Sequence, residues 1–342
     1  MSPPLSTKRL ERRDEPILEP ELPIVDSHVH LFDLPGNRYM FDDYLSDVTA
    51  GHKIIASIYC ETQSFVRQDG PELMRPIGEV EFANGVAALA ASGVYGSCRI
   101  AHGIIGHANL TFGSRIGELL DRSIATAPDR YRGVRHVTLD YPDDRPFRFV
   151  MTFRPPAGLL ELDSFVDGLR EVVKRDLVYD AAIFDPSIPQ LGRVIDKVPE
   201  LTVVLNHMGT AIGIDMSAEE RHAVFQRWRS NLREFAQRPN VYCKVGGLGM
   251  PNWGFGFEER RDPVGSEELA KVWRPYVETA IEAFGPDRCM MESNFPPDGR
   301  SAGYVPTWNA YKTITAGASA SEKWSLYRGT AERVYRLSSL PA

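Results

Sequence analysis

The chain has 342 residues, 43% apolar and 25% charged, with a formal net charge of −7. That balance is ordinary for a globular protein, and nothing in it suggests a nucleic-acid or anionic-membrane partner, both of which attract dense Lys/Arg patches. No apolar run approaches the roughly 20 residues of a spanning helix. The expected setting is the cytoplasm, with a small-molecule substrate, no nucleic-acid or membrane partner, and homo-oligomerisation left open.

Residues 1–20 are charged and Pro-rich and lack the apolar centre of a signal peptide. They read as a solvated arm that packs on the outside or caps the domain. Residues 21–342 read as one unit, with no repeat and no dividing linker. Eight β-rich runs follow: PIVDSHVH (23–30), KIIASIYC (53–60), VYGSCRIA (94–101), YRGVRHVTL (131–139), LVYDAAIF (177–184), LTVVLNH (201–207), VYCKVGG (241–247) and CMMESN (289–294). Helical segments separate them. In SFVDGLREVVK, Phe165, Val166, Leu169, Val172 and Val173 form an apolar stripe. Ser217 and Glu220 have capping-box form and open a helix predicted to reach about Arg238, while Gly285-Pro286 ends the helix before the eighth run. Strands that alternate with helices predict a parallel sheet, and eight units predict a single (β/α)₈ TIM barrel of the α/β class. A doubly wound open sheet would want a Gly-rich turn after its first strand, where this chain has His-Val-His. Cys60, Cys98, Cys243 and Cys289 form no CxxC pair and read as free thiols in a reducing compartment.

In a barrel the site lies at the carboxyl ends of the strands, and the polar residues recur there. His28 and His30 end the first run on one face, where two imidazoles hold a divalent metal or bind a substrate carbonyl or carboxylate directly. His207 ends the sixth run as a general acid/base or carbonyl polariser. Arg135 and His136 face opposite ways, so one enters the barrel; Arg135 suits an anionic substrate group. Glu292 and Asn294 share a face of the eighth run. Each has a bland alternative: a hydrogen-bonded core histidine, or an ion pair with an outer helix. The loop 246–257, rich in Gly and aromatics and including Trp253, reads either as a lid over substrate or as a packed loop.

Together IVDSHVHLFD, GIIGHANLTFG, RGVRH, LNHMG, KVGGLGMP and RCMMESNFPPD resemble the amidohydrolase-2 branch of the amidohydrolase superfamily, from about residue 22 to residue 336. The resemblance implies a TIM-barrel hydrolase related to sugar-lactone and pyrone-dicarboxylate lactonases, or a metal-dependent decarboxylase. Three positions depart from the branch. Ser293-Asn294-Phe295-Pro296 stands where metal-binding members have Ser-Asp-Trp-Pro, Phe184-Asp185-Pro186 stands where many have a strand-five His, and Gly299 replaces a Lys. The expectation is therefore one weakly bound divalent ion such as zinc, or none, with His28, His30 and Glu292 as ligands if it binds. His28, His30, His207, Glu292 and Asp185 are the expected catalytic set, Glu292 or Asp185 serving as the base. Arg135, Asn294 and Trp253 are the expected substrate contacts. The expected reaction is opening of a small, anionic lactone or related cyclic ester or amide. A lyase acting on an unsaturated acid and a non-catalytic binding barrel are the competing readings.

Overall fold

The computed structural model describes residues 15–149 and 154–341. Eight parallel strands lie in chain order around one sheet: β1 (Ile24–Val29), β2 (Ile54–Cys60), β3 (Arg99–His107), β4 (Tyr131–Val137), β5 (Val178–Ala182), β6 (Val203–Leu205), β7 (Val241–Val245) and β8 (Cys289–Met291). Just beyond β8 the chain closes the ring onto β1. His30 N donates to Phe295 O (2.8 Å) and Asn294 N to His28 O (3.0 Å). Ser27 Oγ donates to Met291 O (2.8 Å), while Asp26 accepts from Ser293 N (2.8 Å) and Ser293 Oγ (2.6 Å). Asp26-Ser27 thus stitches the first strand to the eighth.

β1 and β2 are buried along their whole length, as expected of strands covered by side chains inside and helices outside. The outer layer is α1 (Phe41–Val48), α2 (Ile77–Ala91), α3 (Ile116–Thr126), α4 (Asp163–Lys174), α5 (Ile188–Ile195), α6 (Ala218–Phe235), α7 (Ser266–Phe284) and α8 (Tyr304–Ile314), with shorter helices to the carboxyl end. On α4, Phe165, Val166, Leu169 and Val172 are buried and Val173 is partly so. Ser217 caps α6, accepting from Glu220 N at 3.2 Å while Ser217 N donates to Glu220 Oε2 at 2.7 Å. The helix ends at Phe235, short of the predicted Arg238.

The third strand starts later than the run 94–101 predicts. Val94 is 78% exposed, on a turn between Gly93 and Gly96, which both take positive φ. The strand instead continues through Gly103 and Gly106 to His107. Glycine weakens an alternation pattern, yet Gly106 is required: a Cβ there would stand 2.8 Å from the Tyr131 ring.

The described end of the arm lies on the outside, with Ser266 N donating to Glu15 Oε1 (2.8 Å), and Lys312 Nζ donating to Leu18 O and Glu19 O (2.9 Å each). Residues 1–14 of the predicted arm fall outside the described residues. All four cysteines are free. No helix among the described residues is long and apolar enough to cross a membrane.

Candidate active site

The strand ends converge on a cavity of about 860 Å³, mouth included. Its walls include His30, Glu61, Arg135, His207, Asn252, Asn294 and Arg300, with Val137, Leu139, Ile183 and Phe184 on an apolar side. Directly beneath lie His28 and Glu292, both fully buried.

Alternation along β1 puts His28 and His30 on the same side, with their Nε2 atoms 3.0 Å apart. His30 Nδ1 is fixed by Cys60 O at 2.9 Å. In β4 the inward residue is Arg135. Its Nε donates to Glu61 Oε1 (2.7 Å), its Nη2 to Glu61 O (2.6 Å), and its Nη1 lies 3.4 Å from His28 Nε2. His136 faces the helices, accepting from Leu110 N at 3.2 Å and stacking on Phe165.

His207 and Asn294 are not strand residues. β6 and β8 stop short of them, and both adopt positive φ (51° and 52°). Such left-handed backbone in non-glycine residues is costly and marks a constrained position. The turn aims His207 into the barrel, where Nδ1 lies 2.6 Å from Glu292 Oε1. The glycines of KVGG make room. A Cβ on Gly247 would lie 2.6 Å from His207 Nδ1, and one on Gly246 would lie 2.3 Å from Glu292 Cγ.

Burial drives the electrostatics. His28, His30 and His207 are held well below the ordinary imidazole pKa by burial, reinforced chiefly by Lys244 at His28 and by Arg135 at the other two. All three are neutral near pH 7. Burial pushes Glu292 up to about 8, against the pull of Lys244. Lys244, inside the barrel on β7, pairs with Asp180 of β5 at 2.5 Å and reaches 3.3 Å from His28 Nδ1. Asp180 also accepts from Tyr335 OH (2.8 Å) and Asn206 Nδ2 (3.1 Å).

Of the predicted site residues, His28, His30, His207, Glu292, Asn294 and Arg135 come together, and two do not. Asp185 is buried and absent from the cavity wall, accepting from Arg227 Nη2 (2.6 Å) and Ile212 N (3.3 Å), so its carboxylate is turned to α6. Trp253 is buried, its Nε1 donating to Gly247 O at 2.7 Å. It packs against Trp228 and Tyr276 in a filled loop, and Met250 and Asn252 take the cavity wall in its place. Glu292 stands under the cavity and reaches it through His207. Four participants were missed: Glu61, Asp180, Lys244 and Arg300. A lone charge inside an apolar strand, as in Val-Tyr-Asp180-Ala-Ala and Val-Tyr-Cys-Lys244-Val, was the available signal.

His28, His207 and Glu292 offer donor atoms all within 4.8 Å of one another, so His207 rather than His30 completes a trio with the carboxylate. Neutral imidazoles with one carboxylate are a donor set that zinc accepts. Glu292 Oε2 is moreover buried with no hydrogen-bond partner among the described residues, which also fits an ion. Lys244 and Arg135 beside His28 oppose added positive charge.

A ring of eight parallel strands with histidines and carboxylates at its carboxyl mouth defines a (β/α)₈ enzyme scaffold. Residues 25–337 match the family described as Amidohydrolase, and the chain belongs to that family. It is similar to the uncharacterized protein y4mH of Sinorhizobium fredii, 28% identical over 339 residues, 93% of this chain and 99% of that protein. It is also similar to an L-fucono-1,5-lactonase of Burkholderia multivorans, 25% identical over 331 residues, 92% of this chain and 96% of that enzyme. A Burkholderia multivorans amidohydrolase solved with bound zinc shares the fold, with a TM-score of 0.68 at 24% identity over 92% of this chain and 99% of that one.

Proposed function

We propose that the protein hydrolyses a small lactone in this cavity, with the Glu292–His207 pair handling the proton. The carrying observation is the 2.6 Å contact that fixes His207 Nδ1 on a buried carboxylate while the ring lines the cavity. When Glu292 is ionised, His207 Nδ1–H donates to it. That tautomer leaves the Nε2 lone pair to accept a proton. The similarity to a lactonase supports this choice of substrate.

The chemistry then needs a polarised carbonyl, an activated water and a proton for the leaving oxygen. Arg135, fixed by Glu61, offers Nη1 at the cavity to the carbonyl oxygen, where negative charge grows. His207 Nε2 takes a proton from water as its oxygen bonds to the carbonyl carbon. The tetrahedral oxyanion collapses, the ring C–O bond breaks, and the proton on His207 passes to the departing alkoxide. The product is a hydroxy acid. A divalent ion held by His28, His207 and Glu292 would supply Lewis-acid polarisation when bound.

The test is turnover on a panel of sugar-acid and carboxylated lactones in H₂¹⁸O. The expected result is one ¹⁸O in the new carboxylate, because attack is at the carbonyl. Release of CO₂ from a carboxylated acid, with every lactone left intact, would overturn the proposal in favour of a lyase.

A further inference from the structure

Two arginines line the cavity, and their surroundings differ. Arg135 is already engaged, with Nε and Nη2 both donating to Glu61. Arg300 ends the single turn Pro297–Arg300 that follows β8, and its side chain is half-buried. It has no hydrogen bond or ion pair among the described residues, and its Nε is buried without an acceptor. Neither nearby acid bonds to Arg300: Glu61 lines the cavity but gives its Oε1 to Arg135, and Asp298 lies outside the lining. Asp298, on Arg300's own turn, accepts from Asn294 Nδ2 (2.6 Å) and Gly249 N (2.8 Å). The half-buried Glu258 acts on Arg300 only through its field. A guanidinium stays charged in this setting, and a buried N–H without a partner is a place for an acceptor to arrive.

We infer that Arg300 is the specificity residue for a carboxylate that the substrate carries away from its scissile carbonyl. This deepens the lactonase reading and rests on it for the position of the reacting ring. It also moves the anion anchor from Arg135, the residue first expected in that role. Arg135 has one nitrogen left and sits against His28, so it suits the reacting carbonyl oxygen. Arg300 has both Nη nitrogens without a partner among the described residues, and such a pair matches a carboxylate through two parallel N–H···O bonds. The apolar wall of Val137, Leu139, Ile183 and Phe184 suits the uncharged ring of the same molecule.

The experiment compares wild type, Arg300→Gln and Arg300→Lys on one lactone ring bearing either a carboxylate or its methyl ester. For the carboxylate, Arg300→Gln is expected to lower kcat/KM by roughly tenfold or more, mostly through KM, because a charge-assisted pair is lost. For the ester the change should stay within about threefold, and Arg300→Lys should recover part of the loss by restoring the charge without the fork. Binding of glutarate, followed by calorimetry and by thermal protection, gives a readout independent of turnover. Wild type should bind it and Arg300→Gln should not. Equal losses on ester and carboxylate, or undiminished glutarate binding by Arg300→Gln, would overturn the assignment. If no lactone is hydrolysed but glutarate binding still depends on Arg300, the reaction proposal fails and the anion site stands. Should Arg300→Gln fail to fold, the same comparison rests on Arg300→Lys, whose loss must still be confined to the carboxylate.

Discussion

Glu292 Oε1 lies 2.6 Å from His207 Nδ1, with the carboxylate fully buried and the imidazole lining the cavity. The two residues follow β6 and β8, the strands on either side of β7, and neither is part of a regular strand. Their contact sets the tautomer of the ring that lines the cavity.

Glu292→Gln is expected to lower turnover roughly 10²-fold or more, the usual scale for losing acid–base assistance. Gln keeps the shape, and the carboxyl it replaces is mostly protonated below pH 8, so the melting temperature near pH 7 should hold. Initial rates on the best lactone and thermal unfolding of both proteins check this. Unchanged turnover would take Glu292 out of the proton path.

The same carboxylate sets a pH dependence. Burial raises it to about 8, so the ionised form that orients His207 fills in as pH climbs through that value. Activity should rise between about pH 7 and 9 and lose this limb in Glu292→Gln. Stability should run the other way. The native state keeps the proton up to about 8, whereas an unfolded glutamate releases it near 4.5, so the native state binds more protons between these values. The stabilising contribution is full below about 4.5 and is lost as pH rises through 8. Denaturant titrations of wild type and Glu292→Gln across that window isolate it.

A divalent ion should bind weakly. Asn294 brings no charge, and Lys244 and Arg135 both lie within 3.4 Å of His28. Metal content after dialysis against chelator should fall well below one ion per chain. Asn294→Asp should raise affinity for zinc, yet it also sets a second carboxylate where the amide now donates to Asp298 at 2.6 Å. Without metal that pair must share a proton, so the variant should melt lower in chelator and regain stability on adding zinc. One tightly held ion in wild type would refute the expectation.

Lys244→Met should be among the most destabilising single changes, costing roughly 3–5 kcal/mol, because it leaves Asp180 charged and unpaired inside the barrel. Adding Asp180→Asn should recover much of the loss. Urea denaturation of both single variants and the double variant gives the coupling. Simple additivity would show that the pair acts independently.

Asp185→Ala should separate structure from catalysis. Removing the acceptor for Arg227 and Ile212 N should lower stability by roughly 1–3 kcal/mol, discounted for the half-exposed Arg227. Turnover below the melting transition should stay within a factor of about two. A loss comparable to that in Glu292→Gln would return Asp185 to the chemistry.

The sequence by itself determined the barrel and much of the cluster's membership. Eight apolar runs between amphipathic segments leave few ways to bury both faces of a parallel sheet, and a His-Val-His at a strand end must put both rings on one side. The third strand was misplaced because Gly103 and Gly106 interrupt its pattern, while the apolar pair Val94-Tyr95 lies on an exposed turn. Tertiary structure decided what each polar residue faces. Asp185 and Glu292 both follow barrel strands, yet one meets an arginine on α6 and the other a histidine from β6's turn. Local pattern specifies a face of the sheet, but a buried charge goes where its partner is, and that partner lies 42 positions away for Asp185 and 85 for Glu292. The same reasoning separates the two cavity arginines. Arg135 is engaged because Glu61 arrives from β2, and Arg300 is left with an open fork because no acid among the described residues reaches it.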